Sequence, residues 1–499
     1  MVTPRLRLGL PGRCVCRRPG RSVGPIHHFT PAVARMPEDG LHAAIALIDK
    51  SIGVVPRHGF LLKHPANPLF DQDEPWEPRI DNGYPNALYD KERNVFELFY
   101  GTCQENCATQ LLLFANSTDG LQWSKPALNL FDIGRIRPDL KSIGKRNNVL
   151  LEGGGIGVMR DAGRYVAFGP GCYSRSSASR GCAMEWGTHK AGAGYPHEDL
   201  AFSLDGFHWE NASGVGWPQP QRWDCHNNLL RDGNRWLATT RLGFYEPPGR
   251  AIAIASSIPS EGLRFDVAEA PHRAFEGTLD HQLYSQLTFK WLDIYLGLVM
   301  VYDANTESQQ VHCRLAWSRS ASDWWQWVEG ADGLTGRDLI PLGGRGEFDS
   351  HICFGSKPLL MANEERIYYM GGNGPHSGAR NSSFGLATLR KHGFAGLSAW
   401  EGKGTVTTLP LLVTGSSLIV SADFNPRRVR VQAPNRVRIG VVDGPSGLSL
   451  SMAIPMTSNV TAAPVTWRSG ATFASLLGRT VRMEMAMTGA MVYAVGFAK

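Results

Sequence analysis

Ten residues with chemically capable side chains stand at or beside the starts of apolar, strand-like runs. The acids are Asp81, Glu152, Asp224 and Asp349, the histidines are His226, His281 and His351, and Arg241, Trp76 and Tyr84 complete the set. A carboxyl group held at a reacting centre can donate or remove a proton. Three histidines at three equivalent positions favour a polar ligand cavity over three unrelated core hydrogen bonds. Arg241 is either a surface charge or a fork-shaped clamp for a hydroxyl or carboxylate. Trp76 and Tyr84 either pack or offer a face on which a ring can stack. The acids have bland alternatives too. Asp81-Asn82-Gly83 also reads as a turn, and Glu152 as a solvated rim residue. Asp224 and Asp349 precede their strands in matching frames.

The elements that must position these residues repeat along the chain. In the stretch Asp224–Arg241, Leu229 and Leu230 end a first strand, Asp232-Gly233-Asn234 makes a tight turn and Trp236–Thr240 resumes a second strand. The same design recurs at 84–100, 155–168, 284–300 and 353–370. Each hairpin is followed by a further apolar strand and then by an echo of Ser-x-Asp-Gly-x-x-Trp. The clearest copies are Ser117–Trp123 and Ser203–Trp209, and Ser318–Trp324 keeps the serine and tryptophan. Asp-Gly makes the turn, and the aromatic residue starts an outer strand and packs between neighbouring sheets. Three strands and an aromatic-started fourth, repeated five times, predict an all-β chain built as a five-bladed β-propeller. Arg160-Asp161 falls in a hairpin turn of this scheme and is read as turn chemistry.

The propeller is expected over 58–404, with short alternating strands of a small β-sandwich over 405–499. Residues 1–57 form an Arg-rich leader and an extension in which Leu41–Ile52 reads as one short helix. The 56 glycines and 14 tryptophans suit a turn-rich β protein. The formal charge of +6 is misleading. Seven arginines and no acid lie in the first 35 residues, so the rest carries 44 basic and 45 acidic residues, a net of −1. That removes the electrostatic case for nucleic acid. No run is apolar enough to span a membrane, no cysteine or histidine cluster has metal-ligand spacing, and no phosphate loop is present. Cys103/Cys107 and Cys172/Cys182 are either local disulfides or free thiols; as disulfides, with four Asn-x-Ser/Thr sequons, they point to the secretory route. The Arg-rich leader points instead to an organelle.

These motifs carry a resemblance. Ser117–Trp123, Ser203–Trp209, Phe348-Asp349-Ser350, Ile367–Asn373 and Phe384–Arg390 with Gly393-Phe394 resemble the propeller superfamily of glycoside hydrolase families 32 and 43, over roughly 58–499. The resemblance implies cleavage of an oligo- or polysaccharide without a cofactor, by carboxylates at the axial mouth. It implies one acid at the start of the innermost strand in each of the first three blades. Asp81 fits the first position and Asp224 the third, whereas Gly153-Gly154-Gly155 stands at the second with Glu152 displaced. Asp349, His351 and the other histidines would position sugar hydroxyls. A propeller that binds glycans without cleaving them is the alternative, and the glycine run is the feature that favours it.

Overall fold

The hairpin turns fold as their residue types require. Gly157–Asp161 and Arg164–Phe168 are joined by Ala162 and Gly163, both at positive φ (+48° and +81°). A two-residue connection needs that left-handed backbone to match the twist of its strands. Asn228–Asp232 and Arg235–Leu242 turn through Gly233 at +63°. The computed structural model describes residues 40–499 except 81, 105–108, 170–199, 212–225, 243–248, 260–261, 266–271, 322–324, 329–337, 401 and 425–433. The leader, Asp81, Asp224, Cys107, Cys172 and Cys182 therefore lie outside the described residues. Among those described there is no α-helix, only strands and single turns of 3-10 helix.

Five antiparallel units follow one another. Unit 1 pairs Asn86–Asp90, Val95–Cys103, Gln110–Ser117 and Val149–Glu152; units 2 and 3 repeat this order at 157–211 and 228–276. Unit 4 is built on His281–Trp291, Ile294–Asp303 and Val311–Ser318, and unit 5 on Ile352–Gly355, Glu364–Gly372 and Ser382–Arg390. Units 4 and 5 are joined in one sheet by a single parallel pairing, Val311 with Ile352. The fourth strand of unit 5 comes from the other end of the chain, because Leu62–Lys63 and Phe70–Asp71 pair with Ser382–Arg390. Phe70 then packs on Phe384 at 4.9 Å and on Tyr100 of unit 1 at 5.8 Å. The first and last units are thereby closed into a ring, which leaves no long sheet edge open. The fold is the β-propeller expected.

The core lies in slabs between successive units. Phe99, Phe114 and Leu151 of unit 1 meet Val158, Tyr165 and Trp209 of unit 2, and comparable clusters join units 2 to 3 and 3 to 4. The Asp-Gly motifs seal these slabs. Ser117 and Asp119 fix a turn in which Asp119 accepts the amides of Leu121 and Gln122. Gly120, at φ +76°, lies so close to Tyr368 of unit 5 that a Cβ would meet the phenol oxygen at 2.3 Å. Trp123 stands edge-on to the same tyrosine at 5.3 Å.

Two further sheets hold both ends of the chain. In one, Ala490–Ala498 pairs with Leu41–Ala43, Ala395–Ser398 and Ser417–Phe424; in the other, Thr480–Thr488 pairs with Lys403–Thr408 and Arg436–Val442. Strands Ile48–Ile52 and Val55–His58 pair with Lys403–Thr408 and Ala395–Ser398 and so add to these two sheets. The helix expected over Leu41–Ile52 is instead strand, 3-10 turn and strand. Residues 41–47 are buried without a helical period; Leu41–Ala43 pair with Ala490–Ala498 and Leu47 N–H donates to the Ala44 carbonyl. Thr480–Thr488 alternates buried and open side chains, as an outer layer does, whereas Ala490–Ala498 is buried on both faces. Arg390 of unit 5 bonds the Ala422 carbonyl and Asp423, fastening the propeller to the inner sheet.

Candidate functional site

The residues that meet across the ring axis come from four of the five units. Tyr84 precedes the innermost strand of unit 1, and His226 that of unit 3. Tyr284 lies in the innermost strand of unit 4 and Phe354 in that of unit 5. The His226 ring stacks on Phe354 at 5.0 Å and 12°, and meets Tyr84 edge-on at 3.9 Å and Tyr284 at 5.5 Å. Units 1 and 3 are not neighbours in the ring, so these contacts mark its axis. Asn82, Gly83 and Tyr84 all have positive φ (+54°, +61° and +37°), as has His226 at +68°. Three of these four are not glycine, a strained backbone of the kind that clusters at functional sites.

Arginines and a second histidine surround the aromatic rings. The Arg241 guanidinium lies 4.1 Å from the Tyr284 centroid, and that of Arg250 lies 4.8 Å from it. Arg241 donates to the Tyr284 carbonyl at 3.3 Å, and Arg250 to Gln282. Arg380 donates to Asn82 Oδ1 at 3.1 Å and to the carbonyls of Pro375 and His376. Arg79 donates to the same His376 carbonyl at 3.2 Å. The His376 ring packs on Tyr284 at 5.0 Å and Tyr302 at 4.8 Å. Burial and then the charges of Arg380, Arg250, Arg241 and Arg79 push its pKa down to about 3. Burial, Arg241, His376 and Arg250 hold His226 well below the usual histidine range as well. Both imidazoles are neutral at pH 7. Deeper in the channel, Lys357 of unit 5 reaches the Leu229 carbonyl of unit 3 at 2.8 Å.

Of the residues singled out in the sequence, Tyr84, His226 and Arg241 meet at this mouth. Asp81 and Asp224 lie outside the described residues, one and two positions before Asn82 and His226. The others stand elsewhere. Asp349 is 1% exposed, and its Oδ2 accepts from Lys63 Nζ at 2.6 Å and from the Tyr369 hydroxyl at 2.8 Å. Those bonds brace unit 5 against its closing strand. Glu152 ends the outermost strand of unit 1, where burial raises its pKa and Arg135 opposes the rise. Trp76 is buried away from this cluster, with its indole N–H on Asn148 Oδ1 at 2.7 Å. His281 is exposed and paired with Asp303 at 2.7 Å. His351 is half-buried beside Ser350 Oγ at 3.0 Å. Asp161 closes the unit 2 hairpin opposite Arg164, at the turn.

Sequence reasoning missed Arg79, Arg250, Arg380, Tyr302 and His376. A usable signal for one was the Gly374-Pro375-His376-Ser377-Gly378 loop at the exit of an apolar strand. Among the described residues, no group of three or more His, Cys, Asp or Glu could hold a metal ion. No helix there is long and apolar enough to cross a membrane. A separate groove of about 700 Å³ runs along the outer sheet, lined by residues such as Pro410, Val441, Asp443 and Arg479 and by no aromatic ring.

No family model and no curated protein matches the chain. Solved structures do. A GH62 hydrolase in complex with xylotriose is 12% identical, with 65% of this chain and 95% of that chain covered and a TM-score of 0.42. The alpha-L-arabinanase of Cellvibrio cellulosa is 10% identical over 62% and 91% of the two chains, at 0.38. The beta-1,2-mannobiose phosphorylase of Listeria innocua is 10% identical over 66% and 96%, at 0.40.

Proposed function

We propose that the protein processes glycans, binding an oligo- or polysaccharide at the mouth of the ring and cleaving a glycosidic bond there. The lining of the mouth is the observation that carries this reading. Tyr84 and Tyr284 supply buried aromatic rings, while Arg241, Arg250 and the two neutral histidines supply a few convergent polar groups. Small-ligand sites combine those two kinds of surface, apolar for area and polar for orientation. Asp224 takes the role of acid and Asp81 that of base or nucleophile. In the sequence Asp81 stands one position before Asn82, and Asp224 two positions before His226. One carboxyl protonates the leaving oxygen while the other attacks or activates water. A place near families 32 and 43 rests on the Ser-x-Asp-Gly-x-x-Trp turns. Cys103 is disulfide-bonded, which supports the secretory route over the organelle suggested by the leader.

Asp224→Asn preserves shape and removes the transferable proton. Turnover on the cleaved glycoside should fall about 10²–10⁴-fold, with sugar affinity kept. Full turnover after both Asp224→Asn and Asp81→Asn sinks the assignment of acids. The second reading, a propeller that binds glycans without cleaving them, is favoured by Gly153-Gly154-Gly155 and by Glu152 standing apart. It takes over if the wild-type protein binds oligosaccharides at the mouth and cleaves none.

A further inference from the structure

Arg79, Arg241, Arg250 and Arg380 reach one small volume from different units. Arg79 precedes unit 1, Arg241 lies near the end of the second strand of unit 3, Arg250 precedes its third strand, and Arg380 precedes the third strand of unit 5. Two of them lie against the Tyr284 ring, two donate to the His376 carbonyl, and all four charges act on the His376 imidazole. Each makes contacts within the protein, so each guanidinium is held in place before a ligand arrives.

We propose that this mouth selects sugars bearing an oxyanion, a uronate carboxylate or a sulfate ester, through Arg79, Arg241, Arg250 and Arg380. The inference rests on the glycan reading above and names its substrate class. A planar guanidinium matches a carboxylate or sulfate with paired N–H donors, and a desolvated site strengthens such bonds. A second observation points the same way. His226 is 5% exposed with Nε2 unbonded, and both ring nitrogens of His376 are buried without a hydrogen-bond partner. Buried polar atoms left unbonded are costly in a folded protein, and a ligand that meets them removes the cost. Asp81 and Asp224 adjoin the mouth in sequence, but with both ionised the balance is four positive charges against two negative, a net of +2. Since the two histidines are neutral, that positive potential belongs to the arginines and persists to high pH.

Matched ligand pairs test the idea in the whole protein by titration calorimetry. One arm uses glucuronate-, galacturonate- and mannuronate-containing trisaccharides, each beside its carboxyl-reduced form. The other uses sulfated disaccharides beside their desulfated forms. In at least one arm the acidic member should bind tenfold or more tightly than its neutral partner, weakening as salt rises, and the arm identifies the oxyanion. Arg79→Gln should cut the acidic-over-neutral affinity ratio tenfold or more, and Arg380→Gln serves if the first variant does not fold. Neutral members that bind as tightly as acidic ones overturn the inference and leave the glycan reading standing. Failure of every oligosaccharide, neutral and acidic, overturns both.

Discussion

Replacing Lys63 by methionine probes the closure of the ring at one bond. Lys63 Nζ lies 2.6 Å from Asp349 Oδ2, and the two side chains are 26% and 2% exposed. Lys63 belongs to the closing strand, and Asp349 to the loop before the innermost strand of unit 5. At an effective dielectric of 20 the pair attraction is about 6 kcal/mol, before the cost of taking both charges out of water. The variant keeps the length and apolar stem of the side chain but leaves a buried carboxylate facing only the Tyr369 hydroxyl. Stranding one partner of a buried pair costs about 3–5 kcal/mol. For a ring of roughly 330 residues the unfolding entropy makes that about 4–7 °C in Tm. Differential scanning calorimetry reads it directly. Lys63→Met/Asp349→Leu, which removes both charges, should recover most of the loss, because an apolar pair of similar volume is often as stable as a buried ion pair. A Lys63→Met protein melting within 1 °C of wild type would refute the idea that this bond holds the closing strand.

Two further outcomes follow from the same contacts. Burial pushes Glu365 in unit 5 up to about 7, against the backbone bond from His392 and the charge of Lys391. Below the unfolded-chain value of 4.5 both states are protonated; as pH rises the unfolded chain ionises first, so stability is lost between about pH 4.5 and 7. That loss is about 3 kcal/mol at 1.36 kcal/mol per pKa unit. Glu365→Gln should flatten urea midpoints across this window, and an unchanged pH slope would contradict the assignment. Removing residues 1–71 takes away the strands that complete unit 5 and those that enter the two sheets. The truncated chain should be insoluble or melt without cooperativity, and a soluble truncation with one sharp transition would refute ring closure by the N-terminal strands.

Much of the architecture was legible because its signals are local. A two-residue turn demands a left-handed backbone, so Gly163 and Gly233 marked their hairpins. Ser117-x-Asp119-Gly120 fixes its own turn through side-chain bonds, but the fourth strand of unit 1 is Val149–Glu152 rather than one started by Trp123, and Ala395–Ser398 after Phe394 joins another sheet. The closing strand was not legible. Leu62–Lys63 and Phe70–Asp71 are two residues long each and take their meaning from partners 312–326 positions away. Leu41–Ile52 misled for a related reason, since a short apolar run has no period of its own and tertiary pairing decides its state. At the site, Tyr84, His226 and Arg241 were found because they stand at strand starts or ends in the repeat. Asp349 stands at such a start as well, yet its side chain turns to Lys63 of the closing strand. Arg250, Arg380 and His376 lie in loops between second and third strands, where the repeat imposes no pattern and only the folded ring brings them together.

The central claim is that a glycan is engaged at the mouth of the ring. A crystal structure of Asp224→Asn protein soaked with the tightest-binding oligosaccharide tests it most directly. The sugar should be seated at the mouth, with a substituent within hydrogen-bonding distance of Arg241 or Arg250. An empty mouth, with the sugar seated instead in the groove beside Pro410 and Val441 of the outer sheet, would contradict it.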